Sequence, residues 1–172
     1  MNFKLGLVLV LSMSQSVLAQ NTLGLIDFIE GNQQGYVLFS PMSDSTTYLI
    51  DKCGEKVHEW HTHNRPGLGA QLGVDGFLYR SCNIGNTIFQ RGGRSGRIEK
   101  LDWESNLVWS YDILDTLQCS HHDFHLMPNG NILLIVWDRI LKTEAETWGK
   151  NPQDMGTNDL WGERIIEIEP VG

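Results

Sequence analysis

The sequence predicts an all-β fold, and three observations support this prediction. Apolar and polar residues alternate in segments such as Ile98-Glu99-Lys100-Leu101 and Ile165-Ile166-Glu167-Ile168, which is the two-residue period of half-buried strands. Asp75-Gly76 and Asn129-Gly130 are dipeptides typical of tight hairpin turns. A similar unit of strands and turns also recurs along the chain.

The repeated unit consists of a Gly-led apolar strand, a variable middle, an alternating strand, a turn and a closing strand. It begins near Gly35, Asp75 and Asn129, and in the first two units it ends at Trp60 and Tyr111. A period of roughly 40 to 55 residues is typical of four-stranded propeller blades. We therefore expect a β-propeller, with an ordinary antiparallel sandwich as the alternative.

The third unit stops early in this sequence. In the first unit Gly54 precedes the closing strand, and the equivalent glycine of the third unit is Gly172. About three blades are then present, whereas propellers typically have about 4 to 8. We expect residues 20–172 to be the N-terminal part of a propeller domain, truncated within a blade.

One segment breaks the β pattern, between Leu141 and Gly162. Its first part contains good helix formers, and Gly149 is suited to end a helix. The sequence thus predicts a short helical insertion near 142–149. It is either a plain surface insertion or a lid that carries Trp148 and Trp161.

The first 19 residues are typical of a secretory signal peptide. Lys4 precedes an apolar run, and Val17-Leu18-Ala19 is a small-residue cleavage site. We expect cleavage after Ala19 and export to the periplasm or the extracellular space. No other segment is apolar over the roughly 20 residues that a membrane span needs.

Charge and cysteine content narrow the classes of partner. The chain carries 13 Lys and Arg against 21 Asp and Glu, a formal net charge of −8, which argues against a nucleic-acid partner. Cys53, Cys82 and Cys119 allow any one of three disulfide pairings, or a partner outside this sequence. No C-x-x-C motif is present, which disfavours a thiolate zinc site.

Histidines cluster in the segment "CSHHDFHLMPNGNILLIVWDR", which runs from 119 to 139. Aligning Gly130 with Gly76 sets His121 and His122 opposite Gly67 and Leu68. Each pair then lies where its unit enters the innermost strand, which lines the channel of a propeller.

Strand alternation predicts that His121, Asp123 and His125 share one face and that His122 lies on the other. A metal site would require a helical segment, so a structural role or a catalytic role is favoured. For His58, His61 and His63 we expect a structural role.

Arginines offer candidate anion ligands. Arg80, on the strand predicted to be innermost in the second unit, and Arg139, in the equivalent region of the third, are the candidate substrate-binding residues. The glycine-rich segment "QRGGRSGR" could hold an oxyanion through its backbone amides and arginines, although a flexible hairpin loop is the preferred interpretation.

Several of these segments together resemble the arylsulfate sulfotransferase family, which are exported bacterial β-propellers. The resemblance covers most of the mature chain, from "TLGLIDF" and "GYVLFSP" through "YLIDKCGEKVHEW", "RPGLGAQL" and "GGRSGRIEKLDWESNLVWSYDI". It is strongest at "HHDFHLMPNGNILLIVWDR", with "KTEAETWGKNP" and "LWGERIIEIEP" behind it. Single pieces suit any propeller, whereas their order and spacing are more specific.

The resemblance implies a six-bladed propeller with its active site at the central channel. The expected activity moves a sulfuryl group from an aryl sulfate to a phenol through a sulfohistidine, without a nucleotide donor, a cofactor or a metal. The nucleophilic histidine is expected beyond residue 172, so this chain alone should be inactive. His122 and His121 are the candidate catalytic residues. The alternative is a non-catalytic exported propeller that binds a glycan or a protein.

Overall fold

A computed structural model describes residues 29, 31, 34–90, 92–156 and 158–170. The predicted signal peptide of residues 1–19 lies outside these residues. Within the described part, the chain forms ten strands and two short helices. No helix there is both long enough and apolar enough to cross a lipid bilayer.

The strands form three antiparallel sheets, each built from consecutive strands. The first contains β1 (Val37–Phe39), β2 (Thr47–Ile50) and β3 (Lys56–Trp60). The second contains β4 (Arg65–Leu72), β5 (Leu78–Asn83), β6 (Gly96–Leu101) and β7 (Leu107–Asp112). The third contains β8 (Gln118–Leu126), β9 (Ile132–Ile140) and β10 (Leu160–Ile168). The all-β prediction is confirmed, whereas no sheet of the described residues closes on itself, so the propeller stays a prediction.

The repeat expected from the sequence matches the strand order. The Gly-led strands of the three units are β1, β5 and β9, and the alternating strands that follow are β2, β6 and β10. Hairpins join β4 to β5 and β8 to β9 at Gly76 and Gly130, which have φ of 82° and 90°. This left-handed backbone region favours glycine, which explains the Asp-Gly and Asn-Gly turn signals.

The core lies between the sheets, and the second sheet is covered on both faces. Leu78 and Tyr79 are successive residues of β5, so their side chains point to opposite faces. Leu78 packs with Leu49 and Trp60 of the first sheet. Tyr79 belongs to a second cluster, which includes Phe124 of the third sheet. Every residue of β5 except its last is therefore buried.

The helical insertion is confirmed, with one addition. Helix α1 (Lys142–Thr147) ends just before Gly149, whose φ is 91°. A second helix, α2 (Pro152–Met155), follows and was not predicted. The Asn151 side chain caps it by accepting from the backbone N–H of Gln153, and proline suits the first turn because it lacks an N–H.

The two tryptophans of the suggested lid have different surroundings. Trp148 is 65% exposed at the end of α1. Trp161 belongs to β10 and makes an edge contact with the ring of Phe89, with ring centroids 4.7 Å apart. These positions match the plain surface insertion better than a lid.

Candidate active site

The alignment on turn glycines matches Leu68 with His122, and both residues occupy equivalent β-bulges. The pairing of β4 with β5 shifts between Pro66 and Ala70, and the pairing of β8 with β9 shifts at the corresponding place. The φ angle is 94° at Leu68 and 53° at His122. Positive φ is uncommon for residues other than glycine, so this shared conformation supports the alignment.

The bulge disrupts the expected alternation along β8. His121 and Phe124 are buried, whereas His122, Asp123 and His125 are exposed. The prediction that His121, Asp123 and His125 share one face is therefore wrong. Extra residues on β8 change the phase of the side chains between the two paired stretches.

His121 is a buried imidazole with one unsatisfied nitrogen. Its ring is 4% exposed and stacks on Trp137 of β9, with centroids 4.1 Å apart and an interplanar angle of 12°. Its Nε2 has no hydrogen-bond partner among the described residues and lies 3.7 Å from Glu163 Oε1. Burial lowers the pKa of His121, an effect that Glu163 opposes and His122 reinforces, so the ring is neutral at pH 7.

His122 lies directly beside His121 but is exposed. The two Nδ1 atoms are 2.8 Å apart, so one nitrogen carries the shared hydrogen and the other accepts it. The His122 ring covers Gly93, where an added Cβ would collide with it. Gly93 also has a φ of 80°, so this position requires glycine for two independent reasons.

A glycine-rich loop of the second sheet holds the bulge in place. The His122 N–H donates to the Gly93 carbonyl over 2.6 Å, and the Ser95 N–H donates to the Ser120 carbonyl over 2.9 Å. Arg94 forms a β-bridge with His121 between these two bonds. The loop that joins β5 to β6 thus runs antiparallel to β8 and aligns the histidine pair with the second sheet.

Gly93 also lines a cleft of about 340 Å³. Arg65 and Arg94 line it together with the exposed Leu68 and the amides Asn83 and Gln90. Among the described residues, no Asp or Glu lines this cleft or pairs with either guanidinium. In a chain with a net charge of −8, the cleft is a local concentration of positive charge suited to an anion.

Arg80 was predicted to bind substrate from an innermost strand, and that placement is wrong. β4 forms the edge of the second sheet, and β5 lies between β4 and β6. The Arg80 side chain is 0% exposed and donates to the carbonyls of Ser45 (2.9 Å) and Asn64 (2.6 Å) and to the Thr62 hydroxyl. The guanidinium therefore joins the first and second sheets and does not face a cleft.

Arg139 also has a structural partner. It lies near the end of β9, and its Nε is 2.7 Å from a carboxylate oxygen of Asp159. The Lys142 N–H donates to the other oxygen of Asp159 over 2.9 Å. Arg139 and Asp159 thus attach the start of α1 to β9, which gives Arg139 a structural role.

The three arginines of the glycine-rich segment differ in their surroundings. Arg91 lies outside the described residues. Arg97 makes a two-point ion pair with Asp112, with nitrogen–oxygen distances of 2.5 and 2.9 Å. Arg94 lines the cleft. The less favoured interpretation of this segment, that it binds an oxyanion, is therefore supported at Arg94 alone.

The other histidine cluster is consistent with a structural role. His58 on β3 lies 2.9 Å from the Trp103 carbonyl through Nε2 and packs edge-on against Trp60, with centroids 4.5 Å apart. His61 and His63 lie in the exposed connection from β3 to β4.

The described part of the chain contains neither a disulfide nor a cluster of side chains that could hold a metal ion. Cys53, Cys82 and Cys119 are free thiols, and the last two are buried. Burial raises the pKa of Cys82 and raises that of Cys119 to about 11, so both stay protonated. Among the described residues, no three His, Cys, Asp or Glu side chains converge to hold a metal ion.

Three residues of the site were not singled out from the sequence: Arg65, Trp137 and Glu163. Arg65 lies three positions before Leu68, the residue aligned with His122, and this proximity was a usable signal. Glu163 pairs with Trp137 across β9 and β10, and Cys119 pairs with Trp137 on the other side. No local sequence signal reports that register, because about twenty residues with two helices separate β9 from β10.

A scan against models of known protein families found no match to this chain, and a search of curated proteins also found none. The chemistry of the site therefore rests on its geometry. A neutral buried imidazole is paired with an exposed one, and a cationic cleft lies beside them. This arrangement can bind an anionic group and move a proton close to it.

Proposed function

We propose that this chain is part of an exported aryl-sulfate sulfotransferase. The proposed reaction transfers a sulfuryl group from an aryl sulfate to a phenol through a sulfohistidine, without a nucleotide donor. The observation that carries the proposal is the exposed His122 imidazole against Gly93, which lines a cleft with two guanidinium groups and, among the described residues, no carboxylate. The family resemblance of the "HHDFH" segment supports the same assignment.

The proposed architecture is a β-propeller in which the three sheets are successive blades. Two features support it: the sheets pack face to face around the second one, and β4 and β8 share a bulge at equivalent positions. In such a ring, β4 and β8 would be the strands nearest the channel. His122 and the cleft would then face the channel.

The residues have separate proposed roles. Arg65 and Arg94 bind the non-bridging oxygens of the sulfate, which is the role that the sequence assigned to Arg80 and Arg139. Guanidinium groups match such oxygens in charge and geometry. His122 either donates to these oxygens or carries the proton that the phenols exchange, and His121 supports it from the buried side.

Each half of the reaction balances with these groups. In the first half, the imidazole nitrogen of the nucleophilic histidine expected beyond residue 172 attacks sulfur, the bond between sulfur and the aryl oxygen breaks, and the phenolate leaves and takes a proton from a general acid. In the second half, the acceptor oxygen attacks sulfur, the nitrogen–sulfur bond breaks, and the acceptor returns a proton to the same group, which is His122 in its proton-carrying role. Because phenols have a pKa near 10, proton transfer at both steps lowers the barrier.

Turnover of a chromogenic aryl sulfate with a phenol acceptor tests this proposal in the intact protein. We expect His122→Ala to lower turnover by on the order of 10²-fold or more with folding almost unchanged. The matched control, His63→Ala, should stay within a few-fold of the parent, because His63 lies in an exposed connection and does not line the cleft.

The cleft provides a second arm of the same test. Arg65→Gln and Arg94→Gln should raise the KM for the aryl sulfate. Arg97→Gln should not, because the Arg97 guanidinium already forms an ion pair with Asp112. An intact protein that binds aryl sulfates without turning them over would favour the non-catalytic alternative. Equal turnover by His122→Ala and the parent would refute the role of His122.

A further inference from the structure

Three side chains form a line that ends at the exposed His122 imidazole. Glu163 Oε1 on β10 lies 3.7 Å from the buried Nε2 of His121, and Nδ1 of His121 lies 2.8 Å from Nδ1 of His122. The Trp137 Nε1–H donates to the same Glu163 oxygen over 3.2 Å, and the Trp137 ring stacks on His121. Trp137 therefore positions both the carboxylate and the first imidazole.

The charge of Glu163 selects one tautomer of His121. A neutral imidazole carries its hydrogen on one nitrogen and a lone pair on the other. If Nε2 carried the lone pair, this buried nitrogen would face a carboxylate oxygen of the 64% exposed Glu163 side chain at 3.7 Å, and the two acceptors would repel each other. Since that nitrogen has no other partner among the described residues, the hydrogen is favoured at Nε2.

The tautomer of His121 determines the tautomer of His122. With its hydrogen on Nε2, His121 presents a lone pair at Nδ1. The short contact between the two Nδ1 atoms then requires His122 to donate from its own Nδ1. His122 consequently carries its lone pair on Nε2, the nitrogen that points away from His121.

We propose that Glu163 and His121 are positioning residues that hold His122 in the Nδ1–H tautomer, so that its Nε2 acts as a base. Resting on the proposed function, this inference chooses between the two roles left open for His122. An Nε2 lone pair cannot donate to sulfuryl oxygens, but it can accept a proton. The acceptor phenol would transfer its proton to His122 Nε2 as the phenol oxygen forms its bond to sulfur and the nitrogen–sulfur bond breaks.

The protonated state that results is also stabilised by the same line of residues. After His122 accepts the proton, its Nδ1–H still donates to the neutral His121. The carboxylate of Glu163 lies on the far side of His121 and offsets the new positive charge. The carboxylate thus acts on His122 through His121, without contact to a substrate.

The tautomers can be measured without any turnover. In protein labelled with ¹⁵N-histidine, long-range proton–nitrogen correlation spectra report which ring nitrogen of each histidine carries hydrogen. His121→Gln and His122→Gln variants assign the two rings among the six histidines of the chain. We expect hydrogen on Nε2 of His121 and on Nδ1 of His122.

Glu163→Ala then tests the origin of this preference. The Nδ1–H form of His122 should lose population in this variant. The matched control is Glu167→Ala, because Glu167 is an exposed carboxylate on the same strand that contacts Asn131 and neither histidine. If the parent carries hydrogen on His122 Nε2, or if Glu163→Ala leaves both tautomers unchanged, the inference is wrong.

Kinetics of the intact protein separate this inference from the proposed function. Glu163→Ala should lower kcat by on the order of tenfold and leave the KM for the donor unchanged, because the carboxylate acts on a proton acceptor and not on sulfate binding. If Glu163→Ala changes the His122 tautomer but the parent shows no sulfuryl transfer, the positioning role of Glu163 and His121 is supported and the sulfotransferase proposal is refuted. If turnover is normal and Glu163→Ala leaves the tautomers unchanged, the positioning role is refuted and the sulfotransferase proposal remains in place.

Discussion

Replacing Arg80 with methionine should destabilise the fold by about 3–5 kcal/mol. The guanidinium is 0% exposed and donates to Ser45, Thr62 and Asn64, and its Nε lies 4.0 Å from the buried carboxylate of Glu99. Methionine fills the volume of the stem but leaves these acceptors without a cation. Each hydrogen bond to a charged group contributes about 1.5–3 kcal/mol, and removing a buried cation recovers several kcal/mol of desolvation, which reduces the net loss.

Urea unfolding followed by tryptophan fluorescence measures this loss. Trp60 is 0% exposed and packs with Leu78 between the first and second sheets, so its emission reports on the interface that Arg80 joins. We expect a lower midpoint at an unchanged slope. The control, Arg97→Met, should lose at most about 1 kcal/mol, because its ion pair with Asp112 is partly exposed. An Arg80→Met variant as stable as Arg97→Met would contradict the structural role of Arg80 and restore it as a candidate substrate ligand.

Three further predictions concern the bulge, the insertion and the thiols. Gly93→Ala should displace the His122 ring and lower turnover of the intact protein at least as much as His122→Ala, whereas Gly92→Ala, which meets no atom within 4 Å, should be nearly neutral; equal kinetics for the two glycine variants would refute this packing. The Lys142 N–H and then Arg139 lower the pKa of Asp159 in the folded state, so its stabilising contribution is complete above the unfolded value of about 3.9 and is lost as the pH falls through the lower folded value. The stability difference between the parent and Asp159→Asn should therefore shrink from pH 7 to strong acid, and a constant difference would refute the linkage. Under native conditions a thiol reagent should modify Cys53 alone, with Cys82 and Cys119 reacting only after unfolding; rapid modification of all three would contradict their burial.

The sequence by itself determined the strand content and the internal repeat. Two-residue alternation reports burial on one face of a strand, and Asp-Gly and Asn-Gly report tight turns, because both depend on residues that are close in the chain. Matching Gly76 with Gly130 also paired Leu68 with His122, and both have positive φ. The helical insertion was foreseen for the same local reasons, except for the short second helix.

Only the tertiary structure decided which side chains meet. The sequence suggested both Arg80 and Arg94 as candidate anion ligands. Arg80 is buried between two sheets, whereas Arg94 lines a cleft. Glu163 reaches His121 only because β9 lies between β8 and β10 in one register, and a shift of one residue would point Glu163 to the opposite face of the sheet. Such contacts join residues far apart in the chain, and their energies come from packing and desolvation, which no local pattern of residues encodes.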